Sequence, residues 1–206
     1  MLSPLQTRRS LGLLAMTVVL PTLTRAATAQ VDTSRATAFI QIAGDEMAAA
    51  INQPGLGAAL RQERVANILK RIVDIDGVGR FVLGRFWRVA TPAEQQDYLR
   101  LFEASLIRNL AGRFGEFQGV RFSLGRTQSR TEDDALVSTV VQRPGQAAFN
   151  LDWRVGEIGG QPRIVDLIAE GTSLRLTQRS EYASVVQRGG GQVSALLAAM
   201  RQQAGR

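Results

Sequence analysis

The sequence predicts an α+β fold: helices first, then a meander of four antiparallel-type strands, then helices again. Three observations predict it. Apolar residues recur every three or four positions up to about residue 112, every second position from about Val120, and at helical spacing again after Thr177. Turn and cap residues punctuate these changes of period. Apolar residues make up 45% and charged residues 21% of the 206-residue chain, a balance that suits a buried core.

Residues 1–29 divide as an export signal does. Arg8 and Arg9 begin it, Leu11 to Leu20 form its apolar run, and Ala27-Thr28-Ala29 supplies the cleavage site, so that Gln30 opens a mature domain over 30–206. The run ends at Pro21 and falls well short of the about 20 residues a membrane span needs. The string Thr7-Arg8-Arg9-Ser10-Leu11 fits a twin-arginine signal and equally an ordinary secretion signal. The route stays open; the expected destination is the periplasm either way.

Ser34 to Gln53 reads as a helix burying Phe39, Ile42, Ala43, Met47, Ala50 and Ile51, and Pro54-Gly55 breaks it. Leu60, Val65, Ile68, Leu69 and Ile72 mark the buried face of a second helix. Gly77-Val78-Gly79 reads as a flexible connector into a short segment, Gly79 to Arg88, that holds Phe81, Leu83, Phe86 and Trp87. Thr91-Pro92-Ala93-Glu94 is a capping box with proline at the first helical position. The helix it starts turns Tyr98, Leu101, Phe102, Ser105, Leu106 and Leu110 inward and ends near Gly112 or Gly115.

Strands follow. Val120, Phe122 and Leu124 alternate with Arg121 and Ser123; Val137, Thr139 and Val141 come after a polar turn at residues 132–134. Phe149, Leu151, Trp153 and Val155 alternate with Asn150, Asp152 and Arg154, and a turn at Gly159 to Pro162 leads into Ile164 to Ala169. Such a sheet has one apolar and one wet face. Gly189-Gly190-Gly191 separates two closing helices.

The composition excludes several chemistries. With no cysteine and no histidine, the chain has no disulfide, thiolate, imidazole base or zincin motif. No metal and no cofactor is expected. The formal charge of +7 falls by three, to +4, once Arg8, Arg9 and Arg25 leave with the signal. Lys70 is the sole lysine, and arginine grips phosphates in a bidentate manner. No nucleotide-binding motif is present, and no nucleic-acid partner is expected. Asp166 and Glu170 are candidates for carboxylate catalysis, but four residues of extended strand span about 13 Å, beyond the about 5–9.5 Å of glycosidase pairs, unless a turn at Gly171 brings them closer. Bonding of neighbouring backbone at the strand end is the role expected for them.

Two stretches carry a resemblance. Val82-Leu83-Gly84-Arg85-Phe86-Trp87-Arg88-Val89-Ala90-Thr91-Pro92-Ala93-Glu94-Gln95 is similar to an LG-x-x-(aromatic)-x-x-(A/S)-TP-x-x-Q signature. Val165 to Leu174 (VDLIAEGTSL), followed by Arg179-Ser180-Glu181-Tyr182, is similar to a D-hydrophobic-x-x-EG-x-S-hydrophobic motif with its R-S-x-F box. Both belong to the MlaC, or toluene-tolerance auxiliary, family. Thr172, Thr177-Gln178 and Tyr182 depart from its usual residues, which bears on how the late helix docks.

The resemblance implies a periplasmic carrier, not an enzyme, holding phospholipid chains in an apolar cavity between sheet and helices. It implies transient docking to an inner-membrane ABC transporter with its substrate-binding ring and to an outer-membrane lipoprotein complex, in the service of outer-membrane lipid asymmetry. The lining expected from the sheet is Phe122, Leu124, Val137, Val141, Phe149, Leu151, Trp153, Val165 and Leu167, faced by Leu83, Trp87, Phe102 and Leu106 from the helices. Arg85 and Arg88 are candidates for a headgroup or for docking. Alternatives are a carrier of another apolar lipid such as a hopanoid, a hydrolase using Asp166 and Glu170, and an assembly factor with a solid core.

Overall fold

The computed structural model describes residues 32–131 and 133–205, so the expected export signal lies outside the described residues. Asp32 opens helix α1 (Thr33–Asn52) by accepting from the Ser34 amide at 2.8 Å. The buried stripe of α1 is Ala36, Ile40, Ala43, Met47, Ala50 and Ile51. Ile42, expected inside, is 60% exposed. Two residues beyond Ile40, it lies about 200° further round the helix, on the opposite side.

Helix α2 (Ala58–Ile72) buries Arg61, Val65, Leu69 and Ile72, a spacing that leaves Leu60 exposed in the first turn, contrary to expectation. Arg61 offsets part of its burial by donating from Nη2 to the Leu56 carbonyl at 2.8 Å. Helix α3 (Ile75–Leu83) absorbs Gly77-Val78-Gly79, which is therefore no flexible connector. A Cβ on Gly79 would stand 2.9 Å from Leu99 and 3.0 Å from Phe102. Glycine here lets α3 lie directly against helix α4 (Pro92–Gly115), and the Tyr98 hydroxyl donates to the Gly79 carbonyl at 2.9 Å across that contact.

A 3₁₀ segment (Gly84–Arg88) joins the two helices. The capping box forms as expected: Thr91 Oγ1 accepts from the Glu94 amide at 3.2 Å, and Glu94 accepts from the Thr91 amide at 2.9 Å.

The sheet runs in sequence order, every neighbour antiparallel: β1 (Arg121–Ser129), β2 (Asp134–Gln142), β3 (Phe149–Ile158), β4 (Gln161–Ala169) and β5 (Thr172–Ser173). Four strands were expected; the fifth is a two-residue strand beyond the Glu170-Gly171 turn. Both turn residues have positive φ, 50° and 79°, the geometry a two-residue hairpin demands. Glu170 is held in it by accepting from the Asn150 amide at 2.9 Å.

A bulge interrupts β4. Arg154 pairs with Asp166 and Val155 with Ile164, so Val165 is the extra residue and the alternation reverses across it. Val165 packs against Gly156, on the face that carries Arg154, and so leaves the inner face it was expected to line. The free edge of β4 is covered at Ile164, whose carbonyl accepts from the Asp74 amide at 3.0 Å.

Helices α5 (Leu174–Arg188) and α6 (Val193–Ala204) close the fold. The buried residues form two clusters. One lies between the sheet and α1, α2 and the later part of α4. The other is helical, built from α3, the earlier part of α4, α5 and α6. Helix α4 belongs to both.

Candidate functional site

The inner face of the sheet does not close completely on the helices. Between it and α1 lies an apolar slot of about 580 Å³ including its mouth. Ile40, Ala43, Met47 and Ile51 form the α1 wall; Phe114 and Phe117 close the end of α4. From the sheet, the expected residues Phe122, Val141, Leu151 and Trp153 line it. The Phe122 ring sits so close to Gly44 that any side chain there would overlap it. The polar groups of the slot are satisfied: Thr139 Oγ1 donates to the Leu151 carbonyl at 2.8 Å and accepts from Trp153 Nε1 at 2.9 Å. A chamber with no uncommitted polar atom stays dry and suits hydrocarbon.

A second, larger cavity of about 1380 Å³ including its mouth lies between α2, α3, α4, the β4 edge and α5. Its deep end is apolar, with Leu69, Val82 and Phe102 almost fully buried. Its outer end is polar, with Asn109, Arg113, Thr177 and Glu181 exposed. The expected residues Phe102, Leu106, Leu167 and Trp153 line this vestibule. Phe114, Trp153 and Ile164 border both spaces, so slot and vestibule adjoin at these three side chains.

Other expected residues fall elsewhere. Val137 is wholly buried in the sheet-side cluster, and Leu124 and Phe149 pack against it, none of them facing open space. Phe149 instead meets the Phe117 ring edge-on at 6.3 Å, under the Arg143 guanidinium. Leu83, at the end of α3, and Trp87, on the 3₁₀ segment, belong to the helical cluster. Arg85 lies over Phe86 at 4.9 Å on that segment, and neither it nor exposed Arg88 borders a cavity. The α1 wall was missed as a site: Ala43, Gly44 and Ala48 stand opposite an aromatic-rich sheet face, and in sequence they read as ordinary helix core.

Comparison with known proteins agrees with this geometry. The MlaC protein family matches residues 41–202. The chain belongs to the MlaC family. The toluene tolerance protein ttg2D of Pseudomonas putida is 24% identical over 180 residues, which span 87% of this chain and 83% of that protein. A phospholipid-binding protein of Ralstonia solanacearum, solved in complex with a phospholipid, shares the fold with a TM-score of 0.72. It is 24% identical, and the match covers 81% of this chain and 95% of that one.

Motif residues of this MlaC-family chain serve in two ways: Val82, Leu167 and Tyr182 line the vestibule, and others build joints. Gln95 Nε2 donates to the Trp87 carbonyl at 2.8 Å, tying the 3₁₀ segment to α4. Asp166 accepts from the Leu167 and Arg175 amides at 2.8 and 3.2 Å and from the Ser173 hydroxyl at 2.6 Å, fixing β4 to the start of α5. With Glu170 bound to Asn150, both carboxylates of the supposed catalytic pair are engaged in holding backbone. Among the described residues, no helix is long and apolar enough to cross a membrane.

Proposed function

We propose that the protein is a periplasmic phospholipid carrier, loading and releasing lipid by transient docking to an outer-membrane lipoprotein complex and an inner-membrane ABC transporter with its substrate-binding ring. The observation that carries the reading is the dry slot adjoining a polar-rimmed vestibule at Trp153. Each CH₂ of a lipid chain exposed to water costs about 0.8 kcal/mol, so a lipid leaving a membrane needs an apolar container with a wet end. The phospholipid held by the Ralstonia relative and the toluene tolerance name of the Pseudomonas relative support the same cargo and role. The periplasmic location rests on the signal-like residues 1–29. No covalent step is needed.

Native mass spectrometry of the purified protein tests the proposal. The expected result is co-purified phospholipid at about one per chain, identified after extraction. A lipid-free mass with no uptake from vesicles overturns it, and recovery of a polycyclic lipid instead reassigns the cargo. Leu151→Glu, in the slot wall, is expected to abolish loading, with circular dichroism separating a blocked slot from an unfolded chain.

A further inference from the structure

The sequence offered Arg85 and Arg88 for a headgroup, yet neither borders a cavity. Arg175 does. It is the second residue of α5, and its side chain lines the vestibule while only 14% exposed. Its guanidinium lies flat on the Phe81 ring at 4.3 Å, and Nη1 donates to the Val165 carbonyl at 3.3 Å. Nε is buried without a hydrogen bond, its nearest acceptor being Asp166 Oδ2 at 3.4 Å. Nη2 has no hydrogen-bond partner among the described residues and is not enclosed. The side chain is thus immobilised by stacking while one edge keeps donors in reserve.

Arg175 is ion-paired to Asp166 through Nε, and the acids nearby leave its Nη2 edge without a hydrogen-bond partner. Asp166 already accepts from two amides and the Ser173 hydroxyl, and Glu181 accepts from Gln178 Nε2 at 3.1 Å. Burial first, and the neighbouring Arg154 second, hold Arg175 below the ordinary arginine range. Arg154 is itself committed to Asp134, donating from Nε at 2.7 Å. Arg113, exposed on α4, adds a second guanidinium to the same vestibule.

We propose that Arg175 is the anion receptor of the vestibule, binding the phosphate at the polar end of the cargo while the chains run past Trp153 into the slot. The inference rests on the carrier reading and adds to it a residue that selects cargo by headgroup charge. A stacked, half-satisfied guanidinium is preorganised for an oxyanion, and one charge-assisted hydrogen bond is worth about tenfold or more in affinity.

The test uses the mature protein and vesicles containing equal amounts of phosphatidic acid and a diacylglycerol of the same chains, with bound lipid counted by native mass spectrometry. Wild type is expected to take the phosphate lipid at least about tenfold in preference. Arg175→Gln is expected to load both equally, its retained diacylglycerol showing that it folds, and Arg85→Gln is expected to keep the wild-type preference. Equal loading of the two lipids by wild type overturns the proposal whatever the variants do. An undiminished preference in Arg175→Gln, or equal losses in both variants, overturns it as well. Inorganic phosphate alone is expected to show no saturable binding below millimolar concentration. Saturation by it together with no lipid preference assigns the site to a free anion and overturns the proposal. Failure of wild type to load either lipid removes the carrier reading, and this inference with it.

Discussion

The two apolar clusters differ in how they are filled. In the helical cluster, Tyr98 stacks on Phe102 at 5.7 Å, and Tyr182 meets both rings edge-on at 6.2 and 6.4 Å. Tyr98, Val82, Val186 and Leu196 are essentially inaccessible there. Along the slot beside the sheet-side cluster, the aromatics Phe122 and Trp153 face α1, where Ala43, Gly44 and Ala48 stand between the larger Ile40, Met47 and Ile51. Large side chains opposite large ones close a core; large opposite small leave a slot, unless the backbones approach. They approach at Gly44, under the Phe122 ring, and not along the rest of the wall. The helical cluster is therefore close-packed around its ring stack and opens only where Val82, Phe102 and Tyr182 border the vestibule, whereas the sheet-side cluster opens onto the slot, with α4 running through both.

Truncation should separate the halves most strongly. Tyr98→Ala removes a wholly buried ring and its hydrogen bond to Gly79, and is expected to cost about 3–5 kcal/mol. Met47→Ala removes a side chain that already borders empty space, so little new cavity is made and the cost should stay near about 2 kcal/mol. Urea midpoints measure both. Equal losses would mean that the slot is closed in solution, and the contrast between the halves would disappear.

Enlargement gives the complementary reading at smaller cost. Gly79→Val pushes into Leu99 and Phe102 and is expected to destabilise by about 1–3 kcal/mol. Ala43→Leu grows into the slot, where stability should change by less than about 1 kcal/mol while lipid loading falls. Calorimetry with lipid quantification on the same samples checks the pair; a destabilised Ala43→Leu with loading intact would place the lipid elsewhere.

Much of the fold was legible because local signals agree with tertiary ones. The Thr91 capping box, the alternation in β3 and the Gly159-Gly160 turn act over a few residues, and each formed where expected. The misreadings arose where a single residue changes phase. Ile42 and Leu60 are apolar but off-stripe, and the bulge turns Val165 to the outer face while Ile164 and Leu167 stay inside. The site was half legible: Phe122, Val141, Leu151, Trp153, Phe102, Leu106 and Leu167 do border open space. The α1 wall was not read, because an alanine facing a void and an alanine facing a neighbour look alike in sequence. Arg175 was hidden for a different reason: its burial beside the vestibule, set by the packing of α5, distinguishes it from exposed Arg179, which lies over the same Phe81 ring.

Alkaline titration sharpens the comparison by reporting on one half alone. The chain has two tyrosines, Tyr98 and Tyr182, and both lie in the helical cluster. Burial pushes the Tyr182 hydroxyl up to about 12, and burial with the nearby Tyr182 raises that of Tyr98 further. An unfolded tyrosine releases its proton near about pH 10. Above that pH the unfolded chain loses protons that the folded chain retains, so stability falls as pH rises. The contribution is fully present below about pH 10 and should erode by about 1.4 kcal/mol per pH unit per tyrosine, for Tyr182 until its folded hydroxyl ionises. Unfolding free energies from about pH 9 to 11.5 should show this slope, halved in Tyr182→Phe. Tyr98 borders neither cavity while Tyr182 lines the vestibule, so in Tyr182→Phe loaded and empty protein should lose stability in parallel. A slope that depends on lipid in that variant would show that the ring stack around Tyr98 senses the cargo.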